Sequence, residues 1–339
     1  MKILYSINPT NCVLVGISLF SLLENNSGID LEIFLLDDNS PQDQISLIRE
    51  MVEKGNGTLS VFSTADFFTN IEHPSFDNPL FSKFSSVLAS SIISSESKII
   101  YLEANTIVDG SLAPLWATNM GSCVVAGIPD YLNHRYLENI GLRKGELYID
   151  SGVMLLNLRL MREMRIENLF SDYLHANNFL AFHQEDILNA VIPNSDKLAL
   201  PARYNVTTPF FLLKRKQLLR FQKLENYQVN GYEFNIAKLH PVIINYRESI
   251  FFRKDPWLPE SKHPAAKWFN KYKSLSPWKH VSIPQSAKKL SNTIDNLVYS
   301  VLPKFLSLTI LGDKYGRRTP LRQRKKILKA KDILKVSNK

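Results

Sequence analysis

Residues 98–116 read Lys98-Ile-Ile-Tyr-Leu-Glu-Ala-Asn-Thr-Ile-Val-Asp-Gly-Ser-Leu-Ala-Pro-Leu-Trp116. The apolar run at 99–102 predicts a buried strand. If the chain stays extended beyond it, Glu103 and Asn105 point the same way, because alternate residues of a strand share a face. Their oxygens would then meet where open α/β sheets bind ligands, and such oxygens suit Mg²⁺ or Mn²⁺ beside a phosphate. Without its flanks, the pair would be interpreted as a solvated acid and a turn amide.

Apolar segments before this stretch follow a β-α-β-α-β order. Strands are predicted at 3–5, 31–36 and 59–62, and helices at 13–23 and from Ser40, as N-cap, to about Lys54. This order indicates a parallel sheet wrapped by helices. Further strands are predicted at 123–127, 152–156, 197–200 and 242–246, and further helices at 81–93, 160–176 and 185–191.

Charge divides the 339-residue chain into a near-neutral body and a basic tail. Residues 286–339 contain 14 Lys or Arg and three Asp or Glu. We therefore predict a domain at 1–282 and a tail at 283–339. Residues 13–23 are too short to span a bilayer and lack the basic flank of a signal peptide. Cys12 and Cys123 are predicted to be reduced core residues of a cytosolic protein.

The tail combines apolar and basic segments. Leu290, Ile294, Leu297 and Val301 recur at helical spacing, an apolar patch follows at 305–311, and basic residues cluster at 317–326. Apolar contact together with basic charge is what peripheral membrane binding requires, so the tail is predicted to dock on an anionic membrane surface. The alternatives are packing on the body or binding nucleic acid, and the scarcity of interleaved aromatic residues disfavours nucleic acid.

The stretch at 98–116 resembles the Asp-x-Asp segment of the retaining sugar-nucleotide glycosyltransferases of family eight. These include bacterial lipooligosaccharide galactosyltransferases and lipopolysaccharide glucosyltransferases. Their usual form is a strand, Leu-Asp-x-Asp, and a Leu-x-Pro-Leu-Trp helix; here residues 111–116 fit, while Glu103 and Asn105 replace the aspartates. The resemblance implies a GT-A type nucleotide-diphospho-sugar transferase fold, a Rossmann-like mixed α/β sheet flanked by helices, followed by a basic helical tail.

Two further segments carry the resemblance and imply the catalytic residues. Residues 148–158 resemble the family's Phe-Asn-Ser/Ala-Gly-Val segment, with Asp150 in place of the Asn that touches the donor sugar. Residues 183–189 resemble Asp-Gln-Asp-Ile-Leu-Asn, which lies under that sugar, and here read Gln184, Glu185 and Asp186. Glu185 takes the position that faces the anomeric carbon. The alternative for Glu185 is a helix-terminus acid favoured by the helix dipole.

The resemblance also implies the donor and metal contacts. Residues 241–246 resemble Pro-Val-Ile-Ile-His-Tyr, whose His is a metal ligand; Asn245 replaces it, and Arg247 stands where the family has Gly. The implied metal set is Glu103, Asn105 and Asn245. With one carboxylate instead of two, Mn²⁺ or Mg²⁺ is expected to bind weakly or to be dispensable. The implied UDP-sugar contacts are Asn8, Lys83, Glu103, Asn105 and Lys254 (or Arg253 in place of Lys254).

The resemblance therefore implies retaining transfer of glucose or galactose from a UDP-sugar to a sugar acceptor. The acceptor would belong to a bacterial surface glycan, such as lipopolysaccharide, lipooligosaccharide or capsule. The protein is expected to be cytoplasmic and peripheral on the inner face of the plasma membrane, with no nucleic-acid partner. The alternative is a non-catalytic family member that binds a sugar nucleotide or glycan beside an active partner. No Gly-rich phosphate loop is found, which argues against dinucleotide dehydrogenases and P-loop enzymes.

Overall fold

The computed structural model describes residues 1–64, 85–176, 184–225, 227–247, 255–258, 261–284 and 290–326. A seven-stranded sheet with the order β3-β2-β1-β4-β7-β6-β8 forms its centre, and a three-stranded sheet with the order β5-β10-β9 lies beside it. The strands are β1 Lys2–Ile7, β2 Glu32–Asp37, β3 Thr58–Ser63, β4 Lys98–Leu102, β5 Thr106–Val108, β6 Val125–Pro129, β7 Ile149–Asn157, β8 Lys197–Ala199, β9 Val206–Thr207 and β10 Ile243–Asn245.

The main sheet is mixed. Strands β3, β2, β1 and β4 are mutually parallel, whereas β7 runs antiparallel to both β4 and β6. Because β7 is reversed, its first residues lie at the edge where β1, β2 and β4 end. In that register Leu102 is opposite Val153. The carboxyl end of β4 therefore meets the start of β7, and this meeting point holds the candidate site.

Helices cover both faces of the sheet, as predicted. They are α1 Cys12–Asn25, α2 Gln42–Lys54, α3 Ser85–Ile92, α4 Ala113–Trp116, α5 His134–Asn139, α6 Leu158–Glu163, α7 Ile166–Ala176, α8 Gln184–Val191, α9 Thr208–Leu212, α10 Arg215–Gln222, α11 Gly231–Leu239, α12 Ala266–Leu275, α13 Leu290–Val301 and α14 Lys304–Asp313. A hydrophobic core lies on each face of the main sheet. Strand β1 contributes side chains to both cores, because alternate side chains of a strand point to opposite faces. Ile3 and Tyr5 pack on one side with α1, and Leu4 packs on the other with α3 and α8.

Three local predictions were wrong. Pro41 rather than Ser40 is the N-cap of α2, because the Pro41 carbonyl accepts the N–H of Ile45 at 3.2 Å and the Ser40 hydroxyl does not cap the helix. The single helix predicted at 160–176 is two helices, α6 and α7, separated by Arg165 in the left-handed region with φ 51°. No glycine marks this break, and buried residues continue on both sides of it. Cys123 is half-buried rather than part of the core.

Most of the described part of the tail, residues 290–326, is helical, as predicted, and it packs on the body. Helix α14 continues through a π-helical turn at Lys314–Arg318 to residue 326. Leu308 and Leu311 are buried in the core cluster that also contains Phe221 of α10. The side chain of Asn139 donates to the Pro320 carbonyl at 2.9 Å. A division near residue 282 stays a prediction. Within the described ranges, every helix is too short or too polar to cross a membrane.

Candidate active site

Three polar side chains converge on Gly152 where β4 meets β7. Asn245 Nδ2 donates to Glu103 Oε2 at 3.2 Å, and the Gly152 N–H donates to Asp150 Oδ1 at 2.8 Å. A Cβ at Gly152 would lie 2.1 Å from Asn245 Nδ2, 3.0 Å from Asp150 Oδ1 and 3.1 Å from Glu103 Oε2. A glycine is therefore required here, because only a bare Cα leaves room for the three side chains.

The orientation of the Asn245 amide follows from the backbone. The side chain is fully buried, and its Oδ1 accepts the backbone N–H of Arg247 at 2.8 Å. Because a backbone N–H can only donate, the oxygen must face it, and the NH₂ group must face Glu103. Asn245 therefore offers a donor, and not a ligand oxygen, to the space beside Glu103.

Arg247 is the cation that the described residues place at this site. Its guanidinium forms ion pairs with Asp150 and with Asp130, the latter at 3.1 Å, and it contacts the Tyr131 hydroxyl at 3.3 Å. Both carboxylates are buried. Burial works to lower the pKa of Arg247, but the charges of Asp130 and Asp150 outweigh it and hold that pKa above its ordinary value. Arg247 therefore stays charged and binds two acids together.

Glu185 lies at the edge of this cluster, in the first turn of α8. Its Oε2 accepts a hydrogen bond from the Ser151 hydroxyl at 3.3 Å. Burial raises the pKa of Glu185 well above its ordinary value, and the negative charge of Asp150 raises it further. Burial, followed by the charge of Asp150, likewise raises the pKa of Glu103 to about 7. Two acids that hold protons to unusually high pH thus flank Asp150, an arrangement typical of catalytic clefts.

The rest of the α8 segment fixes that helix to the sheet. Asp186 is buried and accepts hydrogen bonds from the hydroxyls of Tyr136 and Tyr148, each at 2.8 Å. Asn189 exchanges two hydrogen bonds with the backbone of Ile149, both at 2.8 Å. These contacts set the position of Glu185 relative to β7. In this structure Asp186 acts as an anchor, and its predicted catalytic part stays a prediction.

The predicted nucleotide contacts differ in how far the structure describes them. Asn8 follows β1 at the expected edge, and its Oδ1 accepts from Thr10 N at 2.9 Å and Asn11 N at 3.1 Å, so the side chain shapes its own loop. Asn105 Oδ1 is buried without a hydrogen-bond partner. Such an acceptor costs about 1–3 kcal/mol, which a bound ligand would recover. Lys83, Arg253, Lys254 and the side chain of Gln184 lie outside the described residues.

The donor set does not fit a divalent metal. Of the three predicted ligands, Glu103 and Asn105 present oxygens, whereas Asn245 presents its NH₂ group. The fixed charge of Arg247 lies close enough to act on the pKa of Glu103 and would repel a dication. Among the described residues, no group of three or more His, Cys, Asp or Glu side chains is placed to hold a metal ion.

Comparison with known proteins identifies the family of the chain. The sequence model of glycosyl transferase family 8 matches residues 2–244. The chain belongs to that family. It is therefore a glycosyltransferase, and the predicted family resemblance is confirmed.

Two relatives show how similar in sequence the chain is to known proteins. The chain is 24% identical over 318 residues to a lipopolysaccharide 1,2-glucosyltransferase of Escherichia coli, covering 89% of this chain and 86% of that protein. It is 23% identical over 191 residues to general stress protein A of Bacillus subtilis, covering 55% and 62%.

A crystal structure of the galactosyltransferase LgtC, in complex with donor and acceptor sugar analogs, has a TM-score of 0.66 and 18% identity, over 84% of this chain and 98% of that one. The GT-A fold is thus confirmed.

Within this family 8 site, Arg247 and its partners Asp130 and Tyr131 are the residues that motif spacing does not predict. One signal was present: an arginine stands where the family has glycine, two residues after the position of a metal-binding histidine. Asp130 and Tyr131 carry no such signal, because they follow the end of β6 in a loop whose position depends on tertiary packing.

Proposed function

We propose that this family 8 enzyme transfers a hexose, with retention of anomeric configuration, from a UDP-sugar to a sugar acceptor of a bacterial surface glycan. The observation that carries the proposal is the convergence of Glu103, Asn245 and Asp150 on Gly152, with Glu185 beside them. The relatives whose names specify glucosyl or galactosyl transfer support a hexose donor.

The proposed roles follow from charge and position. The transition state of glycosyl transfer is oxocarbenium-like at the sugar and anionic at the leaving diphosphate. Glu185 would stabilise the anomeric centre. Asp150, held by Arg247 and by the Gly152 N–H, would accept a hydrogen bond from a hydroxyl group of the donor sugar. Asn8 would contact the nucleoside, and the free oxygen of Asn105 would accept a hydrogen bond from it. Because these groups are held in place before the donor binds, they stabilise developing charge without reorganisation.

A donor panel tests the proposal. UDP release is measured from UDP-glucose, UDP-galactose and UDP-N-acetylglucosamine, each with lactose or with rough-strain lipopolysaccharide as acceptor. We expect acceptor-stimulated UDP release from UDP-glucose or UDP-galactose. Release of no nucleotide, despite measurable binding of UDP, would instead support the non-catalytic alternative.

We also propose that the tail docks the enzyme on an anionic membrane, where a lipid-linked acceptor would be found. Exposed apolar residues continue along α13 and α14: Ile294, Leu297, Val301, Phe305 and Ile310 are 55%, 61%, 70%, 66% and 45% exposed. Exposed basic residues lie further along the same helical run, namely Arg317, Arg318, Arg322, Arg324, Lys325 and Lys326. The pairing of an apolar face with positive charge matches an anionic lipid surface, and each basic residue near that surface contributes about 1 kcal/mol.

Leu297→Glu is expected to weaken binding to vesicles of phosphatidylglycerol and phosphatidylethanolamine by at least about tenfold, because it removes apolar contact and adds a repelled charge. The measurement is sedimentation of full-length protein with these vesicles. Leu275→Glu is the matched control, since Leu275 ends α12 and is also 61% exposed. Equal loss in both variants, or binding that ignores salt and anionic lipid, would contradict membrane docking.

A further inference from the structure

A cation is needed wherever a diphosphate leaves, and the chain supplies one without a metal. The diphosphate of a UDP-sugar gains negative charge as its bond to the sugar breaks, and enzymes stabilise that charge with Arg, Lys or a metal ion. The carboxylates of Asp130 and Asp150, both ion-paired with Arg247, already lie at this site. A diphosphate entering beside them would be repelled unless a positive charge stands between.

Arg247 has the position for this task. It follows Asn245 by two residues, and its backbone N–H fixes the Asn245 amide that in turn holds Glu103. Its guanidinium is anchored by Asp150 and Asp130. The side chain is still 27% exposed, so a ligand in the cleft can reach it. Arginine binds phosphate oxygens in a fixed, often bidentate geometry.

We propose that Arg247, anchored on Asp130 and Asp150, is the fixed cation that contacts the donor diphosphate, so that this enzyme binds and uses its nucleotide without a divalent metal. This inference rests on the proposed function, because it assumes a nucleotide diphosphate as ligand. It accounts together for three departures from the family pattern: the amide at Asn245, the single carboxylate at Glu103 and the arginine in place of glycine.

Calorimetry of UDP binding tests the inference on the unaltered protein. We expect the Kd for UDP in excess EDTA to lie within about threefold of the Kd with added Mn²⁺, since less than about 0.7 kcal/mol would then come from the metal. Titration of Mn²⁺ alone should give no heat of binding. UDP binding that requires Mn²⁺ would overturn the inference and leave the proposed function standing. Failure to bind UDP under both conditions would overturn both.

A set of charge variants tests the residue itself. Arg247→Met should weaken UDP binding in EDTA by at least about tenfold, as expected for loss of a hydrogen-bonded charge pair, and Arg247→Lys should recover part of this affinity. Arg159→Met, which removes an exposed arginine of α6 paired with Glu163 at 2.6 Å, is the control and should bind as wild type. Wild-type affinity in Arg247→Met would overturn the inference. If Arg247→Met does not fold, UDP binding in EDTA is compared between Arg247→Lys and wild type. We expect the lysine variant to bind UDP more weakly. Equal UDP affinities of the two proteins would refute the inference.

Discussion

Replacing Gly152 by alanine is expected to lower turnover by at least about 100-fold, because displacement of reacting groups by about 1 Å has an effect of this size. The added Cβ would stand 2.1 Å from Asn245 Nδ2, far inside van der Waals contact. Asn245 is fully buried and cannot move outward, and its amide oxygen is held by the Arg247 backbone. The clash must therefore push Asn245, Glu103 or the start of β7 out of position.

The effect of Gly152→Ala is measured as kcat and KM for UDP release, with thermal unfolding monitored in parallel. Gly110→Ala is the matched control, because a Cβ there lies 3.5 Å from the nearest atom of Val242, an ordinary contact. This control should keep wild-type turnover. Wild-type kinetics in Gly152→Ala would mean that the convergence on Gly152 has no part in the reaction.

At a pH above the raised pKa of Glu185, its replacement by glutamine is expected to lower kcat by about 100-fold, which corresponds to about 2.7 kcal/mol of lost transition-state stabilisation. The change keeps the shape and one acceptor oxygen for Ser151 but removes the negative charge that would face the anomeric carbon. UDP affinity should change little, because the role proposed for Glu185 is at the sugar and not at the nucleotide. The measurement is single-turnover release of UDP together with calorimetry of UDP binding.

The pH dependence of turnover provides a second readout of Glu185. Asp150, Asp130 and Asp186 face it with negative charge, and Arg247 faces it with positive charge; burial and the acids prevail and raise its pKa. A raised pKa means that Glu185 is neutral at low pH and gains its charge only as pH rises. Wild-type kcat should therefore rise with pH through this raised pKa, and Glu185→Gln should lose that slope.

Unchanged turnover and an unchanged pH profile in Glu185→Gln would contradict the catalytic role. The helix-terminus explanation of this acid would then stand.

Apolar periodicity was sufficient for the strands and most helices, because each buries a face whose spacing is visible in the sequence. It failed at Arg165, where α6 ends in a left-handed residue while the buried pattern continues into α7. The capping rule placed the start of α2 one residue early, because Ser40 is a favoured N-cap residue but its hydroxyl does not bond to the helix. Local chemistry of this kind is decided by tertiary contacts that periodicity does not record.

The candidate site was predictable where a motif names a residue and unpredictable where packing brings residues together. Glu103, Asp150 and Glu185 come from three motifs, and their meeting depends on the antiparallel register of β7 against β4. The direction of the Asn245 amide depends on one backbone N–H, which no motif encodes. The ion pairs of Arg247 with Asp130 and Asp150 join residues about one hundred positions apart along the chain.

The measurement that tests the central claim most directly is proton NMR of the product formed from UDP-α-glucose or UDP-α-galactose in the presence of excess EDTA. We expect transfer to the acceptor with an α-linked product, formed without added metal by the cluster around Gly152. A β-linked product would contradict retention, and transfer that appears only when Mn²⁺ is restored would contradict the role given to Arg247.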